Sequence, residues 1–133
     1  GAGGLRVGCC PGSDGGDDVN RYKLRTAGFD AVVYTGFEYT GRNLLLVRSC
    51  DCMIMIGGRI GTLNELTIAL EERKPVGILL GSGGMTDEVE HVLRAARRAR
   101  TTANIIFGHD PAALVDKLIA RTTQKYAKLK DEF

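Results

Sequence analysis

The chain has 133 residues, 44% of them hydrophobic and 26% charged, with a formal net charge of +2. That is long enough to bury a core as one domain over residues 1–133, and too evenly charged for a dedicated nucleic-acid or membrane-surface binder. No apolar run approaches membrane-spanning length and the opening lacks the basic-then-apolar layout of a signal peptide, so a soluble, cytoplasmic protein is expected.

Leu5 to Cys10 is a short apolar run stopped by Pro11-Gly12-Ser13-Asp14-Gly15-Gly16, which reads as a strand entering a loop. Asp30 to Thr35, centred on Ala31-Val32-Val33-Tyr34, reads as a second strand that leaves through Gly36 and Gly41. Residues 42–50 predict a helix, mostly apolar and therefore largely buried, before a third strand at 52–56. Leu63, Leu66, Ala69 and Leu70 recur at helical spacing, which predicts an amphipathic helix over 62–73, ended by Lys74-Pro75. Val76 to Leu80 is the next strand. The loop Gly81-Ser82-Gly83-Gly84 then leads to Thr86, read as the N-cap of a helix reaching about Arg100, with Asp87, Glu88 and Glu90 in its first turn. Asn104 to Phe107 is a last short strand, and Asp110-Pro111 opens a final helix with a Lys-rich end.

Strands alternating with helices predict an α/β fold: a mostly parallel sheet with helices on both faces and ligands at the carboxyl ends of the strands. On such a sheet, segments 11–18, 36–42, 57–62 and 81–86 leave strand ends and converge on one edge.

The chemistry concentrates at residues 56–65, IGGRIGTLNE. Gly57, Gly58 and Gly61 remove side chains where backbone amides approach a ligand, and Thr62 opens a helix whose free N–H groups and dipole favour an anion. A phosphate is the natural occupant. The spacing is neither that of the dinucleotide fingerprint nor that of the nucleoside-triphosphate loop, which needs a lysine after its last glycine. The plain alternative is a glycine-rich turn. Glu65 likewise has two readings: the partner of Thr62 in a capping box, or a carboxylate close to a sugar carried by the bound phosphate, serving as general base or stabilising an oxocarbenium ion. Arg42 opens the helix after a neighbouring strand and is placed to hold a phosphate or leaving group; Arg48 faces elsewhere and reads as structural.

Cys9-Cys10 and Cys50-x-Cys52 sit in or beside apolar runs without zinc-knuckle spacing, and His91 and His109 have no partner at ligand spacing, so no metal is expected. The basic cluster Arg94, Arg97, Arg98 and Arg100 is local and reads first as a solvated helix face.

The run GRNLLLVRSCDCMIMIGGRIGTLNELTIALEERKPVGIL, residues 41–79, resembles the family once called "lysine decarboxylase-like". That family includes the Lonely Guy cytokinin-activating phosphoribohydrolases and has the molybdenum cofactor carrier proteins as close relatives. The shared pattern falls on Arg42, Arg48, Asp51 and Gly57 to Glu65. The resemblance implies a Rossmann-like fold, a homodimer or homotetramer, and a small phosphate-bearing ligand, either a nucleoside monophosphate or a molybdopterin. It implies Arg42 and Glu65 as the catalytic pair of an N-glycosidic bond hydrolase that needs no cofactor for catalysis. The alternative it implies is a non-catalytic carrier of the molybdenum cofactor or of a nucleotide. Nothing suggests a pyridoxal-phosphate site or true decarboxylation. A single-stranded DNA binder using the basic cluster is a more distant third reading.

Three departures stand out. Ile56 replaces the proline usual before the double glycine. Asn43 follows Arg42 where the hydrolases have lysine, a form closer to the carriers. The opening GAGGLRVG resembles the family's sequence just after a leading strand-helix-strand unit, so either the chain is a fragment or that unit has been lost.

Overall fold

The computed structural model describes residues 3–96 and 104–130, and the side chains of 129 and 130 are left aside. Its elements in chain order are β1 (Val7–Cys10), α1 (Gly15–Asn20), β2 (Ala31–Tyr34), α2 (Glu38–Arg48), β3 (Met53–Ile56) and α3 (Ile60–Glu71). There follow β4 (Val76–Leu79), a 3-10 turn (Gly84–Glu88), α4 (Val89–Ala95), β5 (Ile105–Gly108) and α5 (Pro111–Lys130). The fold is α/β with every strand pair parallel, as the alternation predicts. The strands form two sheets, ordered β1-β2 and β3-β4-β5, and the chain divides into two compact units, Gly1–Leu46 and Val47–Phe133.

In the first unit, β1 and β2 pair from Val7 opposite Ala31 to Cys10 opposite Tyr34. Helix α1 bridges them, where the sequence reads only a loop. Asp14 caps it by accepting the Asp17 N–H at 2.9 Å. Six residues rich in glycine and aspartate carry no apolar periodicity, so the cap and the acids of the first turn, Asp17 and Asp18, are their helical signals. Helix α2 starts four residues earlier than expected. Gly41 is therefore inside the helix, where a Cβ would run into Phe37, and Gly36 alone, at φ +66°, makes the exit from β2. The expectation that α2 is largely buried fails: Asn43 and Val47 are buried, but Leu44 and Leu45 are about two-fifths exposed. Four consecutive apolar residues sweep a full helical turn and cannot share one face.

In the second unit, the register places Met53, Val76 and Ile105 side by side, and next to them Met55, Ile78 and Phe107. These residues share one face and pack with Val47, Leu66 and Ala69 of the flanking helices and Val89 of α4. The opposite face carries Gly77, where a Cβ would touch Leu114 and Leu118 of α5 at 3.4 Å. Helices thus cover both faces of β4, which explains its unbroken apolar sequence.

The single helix expected from Thr86 to Arg100 is instead a 3-10 turn followed by α4. Thr86 is not an N-cap: it is fully buried within the turn and its hydroxyl donates to the Gly83 carbonyl at 2.6 Å. Of the basic cluster only Arg94 is placed, in the last turn of α4; Arg97, Arg98 and Arg100 lie outside the described residues. Among the described residues no helix is long and apolar enough to cross a membrane.

Candidate functional site

At the carboxyl edge of the second unit, β3 ends in two left-handed glycines, Gly57 (φ +56°) and Gly58 (φ +93°). Thr62 lies directly over the Gly58 Cα, so a side chain at 58 is excluded by space as well as by φ. Helix α3 begins at Ile60, two residues before the expected start. Its N-cap is Arg59, in extended backbone and without a side-chain cap hydrogen bond. Thr62 is accordingly the third helical residue and cannot be the cap of a capping box, which removes that reading of Glu65. Glu65 stands in the second turn, half-buried, next to fully buried Leu66. A Cβ on Gly61 would meet nothing within 4 Å, so no packing demands glycine there. Ile60, 78% exposed, and exposed Arg59 flank this helix end.

The second glycine loop braces the first. Ser82 Oγ accepts the Gly57 N–H at 2.8 Å and donates to the Leu79 carbonyl at 2.6 Å, while the Met85 N–H donates to the Gly58 carbonyl at 3.0 Å. Asp87 accepts the N–H groups of Gly81 and Gly83 through its two oxygens, at 2.8 and 3.1 Å. His109, just past β5, puts its Nδ1 3.7 Å from where a Gly81 Cβ would stand. Gly57, Gly58, Gly61 and Thr62 are thus gathered at one edge, but the Gly57 amide is already committed to Ser82. The bracing by Ser82 and Asp87 was not legible in the sequence. A serine in a glycine loop is ordinary turn chemistry, and its partner lies 25 positions away.

In the first unit, the loops after β1 and β2 are joined by the Gly36 N–H to the Gly12 carbonyl and the Glu38 N–H to the Pro11 carbonyl. Segments 11–18 and 36–42 therefore meet each other, and segments 57–62 and 81–86 meet each other, each pair within its own unit. The amides of the first loop turn onto its own acids: Gly12 donates to fully buried Asp18 at 2.8 Å and Ser13 to Asp17 at 3.1 Å. An anion has no welcome among those carboxylates. Arg42 is held at the end of β1, its guanidinium donating to the Cys9 carbonyl and to Asn43 Oδ1, both at 3.1 Å, with the Tyr39 ring 5.8 Å from its centre. Buried Cys10 has its thiol pushed up to about 11, by burial first and then by the Asp18 carboxylate. Arg48 pairs with Glu72 at 2.7 Å, in keeping with a structural role.

Among the described residues no disulfide joins the four cysteines, and no group of three or more His, Cys, Asp or Glu side chains is gathered to hold a metal ion.

The model of the SLOG cluster4 family matches residues 1–115. Over 38 residues, 29% of this chain and 25% of the other, the sequence is 47% identical to an uncharacterized protein of Archaeoglobus fulgidus. The X-ray structure of TM1055, a target of the Northeast Structural Genomics Consortium, is similar with a TM-score of 0.58 and 33% identity, over 68% of this chain and 48% of that one. The chain therefore spans about a quarter of the curated relative and about half of the solved one.

Proposed function

Since the chain belongs to the SLOG cluster4 family, whose model covers residues 1–115, we propose that it is a Rossmann-like nucleotide-binding protein and a nucleoside 5′-monophosphate phosphoribohydrolase. The observation that carries this reading is the start of helix α3: a twelve-residue helix without a side-chain cap, set behind two left-handed glycines and followed by a glycine that packing does not require. Such a terminus offers backbone N–H groups and the positive end of the helix dipole to a phosphate.

With the phosphate seated there, Glu65 is the first carboxylate along the helix. It takes a proton from the attacking water or stabilises the positive charge that develops at C1′ as the glycosidic bond breaks. Water adds to C1′, the base leaves with the proton, and ribose 5-phosphate remains. The family resemblance gives Arg42 the companion role of orienting the phosphate or the leaving base. The assembly expected is a homodimer or homotetramer, which light scattering measures.

The second reading is a non-catalytic carrier of the molybdenum cofactor or of a nucleotide, which uses the same seat without turnover. What favours it is Asn43, 2% exposed and bonded to the Arg42 guanidinium, so that the Arg-Asn pair stands as one built unit.

Incubation with a panel of nucleoside 5′-monophosphates, followed by chromatography of the free base, separates the two. Release that falls by about 10²- to 10⁴-fold in Glu65→Gln, and also falls in Arg42→Ala, establishes the hydrolase. No release, with thermal stabilisation by phosphate ligands retained, establishes the carrier.

A further inference from the structure

We propose that Ser82 is a positioning residue for the phosphate seat: its hydroxyl locks the Gly57-Gly58 turn in the left-handed form that presents helix α3 to the ligand. This assignment rests on reading residues 57–62 as that seat.

The geometry is a closed proton count. Ser82 Oγ and Thr86 Oγ1 lie 3.0 Å apart and carry one hydroxyl proton each. Ser82 donates to the Leu79 carbonyl and Thr86 to the Gly83 carbonyl, both at 2.6 Å. Both protons are then spent, and a lone pair of Ser82 is left for the Gly57 N–H. The loop that delivers Ser82 has no slack. Asp87 clamps the N–H groups of Gly81 and Gly83, and Gly84 (φ +61°) lies so close to the Gly58 carbonyl that a Cβ would stand 2.5 Å from that oxygen.

This bond lies outside the structural ladder. The β3–β4 register closes at Ile56 opposite Leu79, one residue before Gly57, and Ser82 is not part of the buried apolar cluster. Its loss therefore leaves the strand pairing in place and frees the turn between β3 and α3, together with the contacts that the same hydroxyl makes to the Leu79 carbonyl and Thr86.

The test uses the full chain and its Ser82→Ala, Ser82→Thr and Asp87→Asn variants. Calorimetry measures the affinity for adenosine 5′-monophosphate, inorganic phosphate and adenosine, and NMR follows hydrogen exchange at the Gly57 amide. Ser82→Ala is expected to weaken adenosine 5′-monophosphate and phosphate by about tenfold, the size of one lost hydrogen bond, while adenosine is unaffected. Exchange at Gly57 quickens, and Ser82→Thr restores both readouts. Asp87→Asn, at an exposed position, is expected to weaken phosphate to a smaller extent and keeps the test alive should the alanine variant fail to fold. Phosphate affinity unchanged in Ser82→Ala and Asp87→Asn overturns the role of Ser82 while leaving the seat in place. An equal loss for adenosine also overturns it, since that marks general loosening. A wild-type chain that binds neither phosphate ligand removes the seat, and the role of Ser82 with it.

Discussion

Two glycines close together at the start of α3 stand in opposite circumstances. Gly58 combines φ +93° with the Thr62 side chain packed on its Cα, so Gly58→Ala is expected to lower stability by about 1–3 kcal/mol in chemical denaturation. Gly61 has open space and sits inside helix α3, where alanine is better than glycine by about 0.5–1 kcal/mol. Gly61→Ala is thus expected to raise stability and weaken phosphate binding together, and a variant that gains stability and binds as before would show that no ligand approaches there. The double glycine was legible because few residues tolerate positive φ. The role of Thr62 was not, since a helix start two residues earlier turns a cap into an interior position. Cys10 makes a third case. Its thiol is held protonated to about pH 11 in the folded chain against 9.0 ordinarily, so the unfolded state ionises first. Stability is then expected to decline as pH rises from about 9 toward 11, with the slope reduced in Cys10→Ala; denaturation curves across that range measure it.

Elements were read well where burial imposes a pattern and poorly where it does not. Strand β4 (VGIL), covered on both faces, stands out as an apolar run, and α5 shows a clear start at Asp110-Pro111, where Asp110 accepts the Ala113 N–H at 2.7 Å. Helix α1 had no apolar stripe to show. Thr86 returns its hydroxyl to the Gly83 carbonyl three residues back, inside the 3-10 turn, instead of capping a helix ahead of it. The seam between α5 and the sheet is the most demanding of these contacts. Leu114 is 2% exposed and reaches both Gly77 and Gly108, positions that lack side chains to fill any gap. Leu114→Ala is expected to cost about 2–5 kcal/mol, read from the denaturation midpoint, because the two glycines facing it have no side chains to fill the cavity.

For the whole molecule, alternation revealed a parallel α/β fold but not the grouping of its strands. Consecutive strands β2 and β3 belong to different sheets, and pairing is decided by contacts distant in sequence. The first unit has two strands and leaves Val7 and Val33 about half exposed, whereas the second encloses β4 between two neighbours. Native-state hydrogen exchange is expected to find the amides of β4 the best protected and those of β1 and β2 markedly faster, since a two-stranded sheet with exposed apolar residues opens at lower cost. Equal protection in both units would contradict this.

The glycine at 77 also sets a timetable for synthesis. Strand β4 emerges from the ribosome about thirty residues ahead of α5, an interval of a few seconds at about 5–20 residues per second. During that interval the face that will receive Leu114 and Leu118 is bare backbone beside Ile54, and Ile106 joins it only as β5 emerges, just ahead of α5. Chaperone binding to the nascent chain is expected over that interval and is expected to end when α5 docks.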